Sequence, residues 1–150
     1  MIIESEFYNK IRSVMPTVCV DLLVTNQQGE YLLVKRSQAP AKGCWWFPGG
    51  RILKGETWKD ACLRKAKEEL GIGLRLGQLV SVEESIFSEE NPAIHTVNLV
   101  VHMFFDEAEK IVLDEAHTEY SWCNSINNNL NPCIKNPLIK FGFPCIKINK

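Results

Sequence analysis

The chain has 150 residues, 17 basic and 18 acidic side chains, a formal net charge of −1 and 45% hydrophobic residues, the composition of a soluble globule. So small a net charge gives no electrostatic case for nucleic acid or an anionic membrane surface as a partner, and no apolar run approaches the ~18 residues of a membrane span. The length suits one domain over residues 1–150 with its own core.

The first residues, MIIESEFYNKIRSVMP, lack a signal-peptide core. This predicts a cytoplasmic protein with reduced thiols at Cys19, Cys44, Cys62, Cys123, Cys133 and Cys145. These cysteines are far apart and form no C-x-x-C pair, so small buried hydrophobes are the simplest reading. Phe7, Tyr8, Ile11 and Val14 recur at helical spacing, which predicts a short helix ended by Pro16. TVCVDLLVT and YLLVKR flank the turn NQQGE, a hairpin pattern. Asp21 interrupts the first strand, either as a satisfied structural carboxylate or as a ligand contact. SQAPAKGCWWFPGG is a loop by its Pro and Gly content.

Thr57 and Asp60 form a capping-box-like pair opening a helix that runs to about Leu70, with Gly71 suited to the position just past its end. GQLVSVEESIF, HTVNLVVHMFF and YSWC read as further strands. The Asn- and Pro-rich stretch after Asn124 has no assigned element or role. The expected architecture is a mixed α/β domain with one well-placed central helix.

The run GRILKGETWKDACLRKAKEELGI carries the chemistry. A Gly-Gly turn ahead of a helix lets backbone approach a diphosphate or a metal closely. Arg64 and Glu68 share a helix face, with Glu69 one step round. Carboxylates with a backbone carbonyl make a hard oxygen site suited to Mg2+ or Mn2+. Gly50, Glu56, Arg64, Glu68, Glu69, Gly71 and Ile72 match the pattern G-x5-E-x7-R-E-U-x-E-E-x-G-U, U being bulky and apolar. Six polar or glycine matches at this spacing should arise by chance roughly once in ten million starts. The chain therefore resembles the Nudix hydrolase family, and the order of its other elements resembles that fold, which implies an α/β domain with a mixed central β-sheet sandwiched between helices. The resemblance implies a divalent metal held by the Gly49 carbonyl, Glu69 and Glu68. It also implies a substrate made of a nucleoside diphosphate joined to another group, and a Glu56–Arg64 pair bracing loop against helix.

Lys65 stands where the family pattern has a glutamate. A protonated lysine neither ligates a metal nor activates water, and it can pair with Glu69 one turn on. A base must then come from elsewhere. The branch of the family that hydrolyses GDP-mannose lacks this glutamate and attacks the sugar carbon with a histidine outside the box. KRSQAPAKGCWWFPGGRILKGET and DEAHTEYSW are similar to that branch. The similarity implies His117 as base, Arg36 and Arg51 holding the diphosphate, and Asp21 facing the nucleotide sugar. Asp114, Glu115 and Glu119 would favour a charged His117 if close. Two positions depart from the branch: Ala116 where it has a glutamine ligand, and Glu68, which it lacks. Glu68 is the candidate replacement ligand, and Glu115 a weaker one. Trp45, Trp46 and Phe47 are expected to anchor the loop, His95 and His102 to be structural.

The favoured expectation is Mg-dependent hydrolysis of a nucleoside diphosphate sugar such as GDP-mannose, by a homodimer with the Phe7/Tyr8 helix near its interface. The alternatives are a pyrophosphatase attacking phosphorus, on ADP-ribose or another nucleotide sugar, and a non-catalytic nucleotide-sugar-binding module.

Overall fold

The computed structural model describes residues 3–147; the outermost residues of the expected 1–150 domain lie outside these. Helix α1 (Ser5–Val14) precedes strands β1 (Thr17–Thr25), β2 (Tyr31–Arg36), β3 (Trp45–Trp46) and β4 (Gly49–Arg51). Helix α2 (Trp58–Leu70), strands β5 (Arg75–Phe87), β6 (Ile94–Phe104) and β7 (His117–Cys123), and helix α3 (Pro132–Phe141) follow. Among the described residues none of the helices is long and apolar enough to cross a membrane.

The strands form one mixed sheet in the order β3-β2-β1-β6-β5, with β4 paired to β1 and β7 to β2. β1 and β6 run parallel over nine residue pairs, Thr17↔Thr96 to Thr25↔Phe104. The expected hairpin is real only at its turn, where the single β1–β2 pair is Thr25↔Tyr31. Beyond it the strands part. β4 takes one side of β1 through Cys19↔Arg51, Val20↔Gly50 and Asp21↔Gly49, while β2 turns to β3 and β7. The Gly- and Pro-rich stretch read as loop therefore contains two short strands, and β4 brings the Gly-Gly pair into the sheet.

Alternation along β1 sends its side chains to two layers. Val20, Leu22 and Val24 pack with Ala61, Cys62, Ala66 and Leu70 of α2. Leu23 joins Tyr31, Leu33, Val100, Ile134 and Leu138 beneath α3. The sheet is thus covered on both faces, as the family resemblance implies. α3 itself was not predicted. Its cap, Asn131, accepts the N–H of Cys133, Pro132 opens the helix, and Gly142 closes it. The six cysteines are free; only Cys62 is buried, while Cys44 and Cys145 are exposed, so the core reading holds for Cys62 alone.

Candidate active site

α2 is fixed at both ends by its own sequence. Thr57 Oγ1 accepts the Asp60 N–H at 3.1 Å, and Gly71 ends the helix in the left-handed region at φ 69°. The last two turns of α2 lie against β4, at the Gly-Gly pair. Gly49 is needed there on steric grounds, because a Cβ would collide with the Val20 carbonyl oxygen.

Arg64 is the brace. Its Nε donates to Glu56 Oε1 at 2.6 Å and its Nη2 to Glu56 Oε2 at 2.9 Å. Nη2 also reaches the Arg51 carbonyl at 3.0 Å, and Nη1 reaches Glu68 Oε2 at 3.1 Å. The Arg64 hydrogen bonds pull the Glu56 carboxyl down to about 2, against burial, with help from the Leu53 N–H.

Lys65 points into the site. Its Nζ lies 2.9 Å from Glu69 Oε1 and 3.1 Å from Glu68 Oε2, bridging the two carboxylates. Burial opposes its charge, but Glu69 and Glu68 outweigh burial and hold its pKa above the usual lysine value. Burial likewise works against the Glu68 carboxylate, and Lys65 and Arg64 prevail, keeping its pKa low. Glu69, 6% exposed, accepts the Gly49 N–H on Oε2 at 2.9 Å. Gly49 thus meets this carboxylate through its amide. Among the described residues no three His, Cys, Asp or Glu side chains converge on a common metal position. Glu68 and Glu69 have the right chemistry for a hard divalent ion, but the position between them is taken by an ammonium, so the set does not fit such an ion unless Lys65 leaves.

His117 comes to the same place from β7, opposite Arg36 in the β2–β7 register. Its Nδ1 is 2.7 Å from Asp114 Oδ1, and its Nε2 is 3.8 Å from Glu69 Oε2. Of the three acidic neighbours in sequence only Asp114 touches it. Glu119 pairs with Lys35 at 2.8 Å, and Glu115 is engaged through its carbonyl, which accepts from Ser37 Oγ at 2.9 Å.

On the α3 side of the sheet, beside the Gly-Gly pair, lies a cleft of about 210 Å³. Asp21, Arg36, Gly49, Gly50 and Arg51 all line it. His117, Glu68 and Glu69 do not. Asp21 is 4% exposed, accepts from Asn98 Nδ2 at 2.7 Å as a satisfied structural carboxylate would, and lines the cleft. Burial pushes its carboxyl up to about 7, against the Asn98 hydrogen bond and with the nearby Glu69 charge. Trp46 and Phe47 are buried as expected and form part of the wall. His102 is held by Thr25 at 2.8 Å and His95 by Glu84, both away from the cleft.

Tyr8, Arg12 and Asn98 are among the cleft residues to which the sequence assigns no site role. Tyr8 carries the Arg51 guanidinium over its ring at 4.5 Å, and Arg12 sits 5.3 Å from the same ring. Arg12 Nε and, on β6, Asn98 Oδ1 are buried with no hydrogen-bond partner among the described residues. Tyr8 had been visible as part of a helix, but nothing local says which side of that helix meets a cleft.

Residues 15–128 match the model of the NUDIX domain. The chain belongs to the Nudix family. It is 30% identical over 125 residues to the low-salt glycan biosynthesis protein Agl8 of Haloferax volcanii, covering 81% of this chain and 79% of that one. It is 35% identical over 85 residues to an ADP-ribose pyrophosphatase of Methanocaldococcus jannaschii, where the match spans 57% of this chain and 48% of the relative. A MutT NUDIX hydrolase from Burkholderia pseudomallei superposes with a TM-score of 0.73 at 28% identity, over 84% of this chain and 98% of that one. The mixed α/β architecture is thus the Nudix fold. The Nudix box is the α2–β4 junction described above, with Lys65 at its departing position.

Proposed function

We propose that this Nudix hydrolase acts on nucleoside diphosphate sugars, GDP-mannose or a close relative, attacking the anomeric carbon. The observation that carries the reading is that Lys65 and His117 both meet Glu69, one at each carboxylate oxygen. The position of the usual box glutamate holds a cation, and a histidine braced by Asp114 stands 3.8 Å from Glu69 instead. Similarity to a protein named for glycan biosynthesis supports a sugar nucleotide.

The divalent ion that Nudix hydrolases generally use, Mg2+ or Mn2+ on Gly49, Glu68 and Glu69, requires Lys65 to move, so no step here depends on it. Nδ1–H of His117 donates to Asp114, which leaves the Nε2 lone pair to take a proton from water. The water oxygen bonds to the anomeric carbon. The bond from that carbon to the diphosphate oxygen breaks, and its electron pair leaves with GDP. Arg36 and Arg51, both on the cleft wall, stabilise the departing charge, for which a planar, permanently charged fork is suited. Asp21 and Asn98 face the sugar end.

A second reading is attack on phosphorus. It is favoured by the enclosure of His117, whose side chain is 3% exposed and off the cleft wall, and by the retained Glu68–Glu69 pair. Product identification separates the two. GDP with free sugar supports carbon attack; GMP with sugar 1-phosphate overturns it.

We further propose a cytoplasmic homodimer in which residues 1–150 form one domain. Packing of α3 into the core beneath the sheet supports a single unit beyond residue 128. The exposure of Phe7 and Val14 on α1 supports a dimer contact there, which sedimentation of wild type and Phe7→Glu tests: the variant should be monomeric.

A further inference from the structure

We propose that the Lys65 ammonium is the resident counter-ion of the Glu68–Glu69 pair, competing with divalent cations for the position between these carboxylates and thereby setting the metal affinity of the box. This goes beyond the reading above and depends on no substrate.

Every carboxylate oxygen in the pair already has a donor. Glu68 Oε1 takes Arg64 Nη1 at 3.3 Å, and Oε2 takes both Arg64 Nη1 and Lys65 Nζ at 3.1 Å. Glu69 Oε1 takes Lys65 Nζ at 2.9 Å, and Oε2 takes the Gly49 amide at 2.9 Å. Each carboxylate oxygen still has a second lone pair; what bars a divalent ion from bridging the pair is the ammonium itself, which fills the space between Glu68 and Glu69. Lys65 is the donor whose departure opens the space between both carboxylates. Nor is it a loosely held surface lysine, since its side chain is 16% exposed and the side chain of its partner Glu69 is 8% exposed. Its stem runs over Gly50, where a Cβ would come within 2.8 Å of Lys65 Cε. Gly50, the first box glycine, thus leaves open the space that the end of the lysine side chain occupies. A cation left in place would also repel an incoming divalent ion, weakly screened in so enclosed a spot.

The test is Mn2+ binding, followed by electron paramagnetic resonance, for wild type, Lys65→Gln, Lys65→Glu and the exposed-lysine control Lys59→Gln. Lys65→Gln should bind at least about tenfold more tightly than wild type, and Lys65→Glu more tightly still, as a third carboxylate joins the site. Lys59→Gln, with the same net charge change, should stay within about twofold of wild type. Equal affinity of wild type and Lys65→Gln, within about threefold, overturns the proposal. If Lys65→Gln does not fold, the wild-type protein decides. Stoichiometric, micromolar Mn2+ binding that broadens the amide signals of Gly49, Gly50 and residues 64–69 overturns the proposal; absence of such broadening supports it. Because no substrate enters, failure here is distinguishable from failure of the proposed reaction.

Discussion

Arg64 and Glu56 are joined by two hydrogen bonds, Nε to Oε1 at 2.6 Å and Nη2 to Oε2 at 2.9 Å, across the loop that leads into α2. The same guanidinium holds the Arg51 carbonyl and Glu68, so one side chain ties loop, strand β4 and helix together. Glu56→Gln should cost about 2 kcal/mol at pH 7, between the small value of surface pairs and the larger one of fully buried pairs. The glutamate has a depressed carboxyl, at about 2 against an ordinary 4.5. Its contribution is present above the ordinary value and fades as pH falls from about 5 towards 2. Urea unfolding of wild type and Glu56→Gln should therefore differ at pH 7 and converge near pH 2. A gap that does not shrink on acidification excludes the ion pair as its source.

Asp21 has the opposite sign. Burial raises its carboxyl to about 7 from 3.8, so folding favours the protonated form. That advantage is fully present below the unfolded value and is lost as pH rises from about 4 to 7. Asp21→Asn, which keeps a polar side chain near Asn98, should be more stable than wild type, and by more at pH 8 than at pH 5. Its turnover of a nucleotide sugar should fall, because the residue lines the cleft. Thermal unfolding at the two pH values reads the first effect. An advantage equal at both would show that Asp21 is not the titrating group.

His117→Ala should lower kcat by ~10²–10⁴-fold if the ring takes the proton of the attacking water. Asp114→Asn, which alters the partner of Nδ1, should cost less, about tenfold. Activity of His117→Ala within about threefold of wild type removes the histidine as base and leaves phosphorus attack as the better reading.

The box was legible because its chemistry is local: Thr57, Gly71 and the i,i+4 pairs of α2 all act within one helix and its caps. β1, β2 and the start of α2 were legible for the same reason. The two strands inside SQAPAKGCWWFPGG were not, because Pro and Gly there serve a close crossing of β4 over β1 rather than a loop. α3 was hidden by its Asn and Pro content, although Asn131, Pro132 and Gly142 are themselves start and stop signals. The direction of Lys65 could not be read either. Sequence allowed it to point outward or to Glu69, and only the folded contacts with Glu68 and Glu69 show that it points inward. What the sequence hides most completely is contact between distant segments, such as Tyr8 with Arg51 or Asp21 with Asn98.

Tyr8 offers a test of that hidden contact. The Arg51 guanidinium lies over its ring at 4.5 Å, and both residues line the cleft. A cation–π contact at a partly exposed site is worth about 0.5–1 kcal/mol, and it holds the arginine in one orientation before substrate arrives. Tyr8→Leu should then raise KM for a nucleoside diphosphate sugar about two- to fivefold and leave kcat within about twofold, because the loss falls on binding of the diphosphate rather than on proton transfer. Tyr8→Phe keeps the ring and should behave as wild type. Steady-state kinetics of the two variants, beside Arg51→Lys, check the assignment. If Tyr8→Phe is as impaired as Tyr8→Leu, the hydroxyl rather than the ring face is what matters. If neither variant changes KM, α1 is only a cover over the cleft.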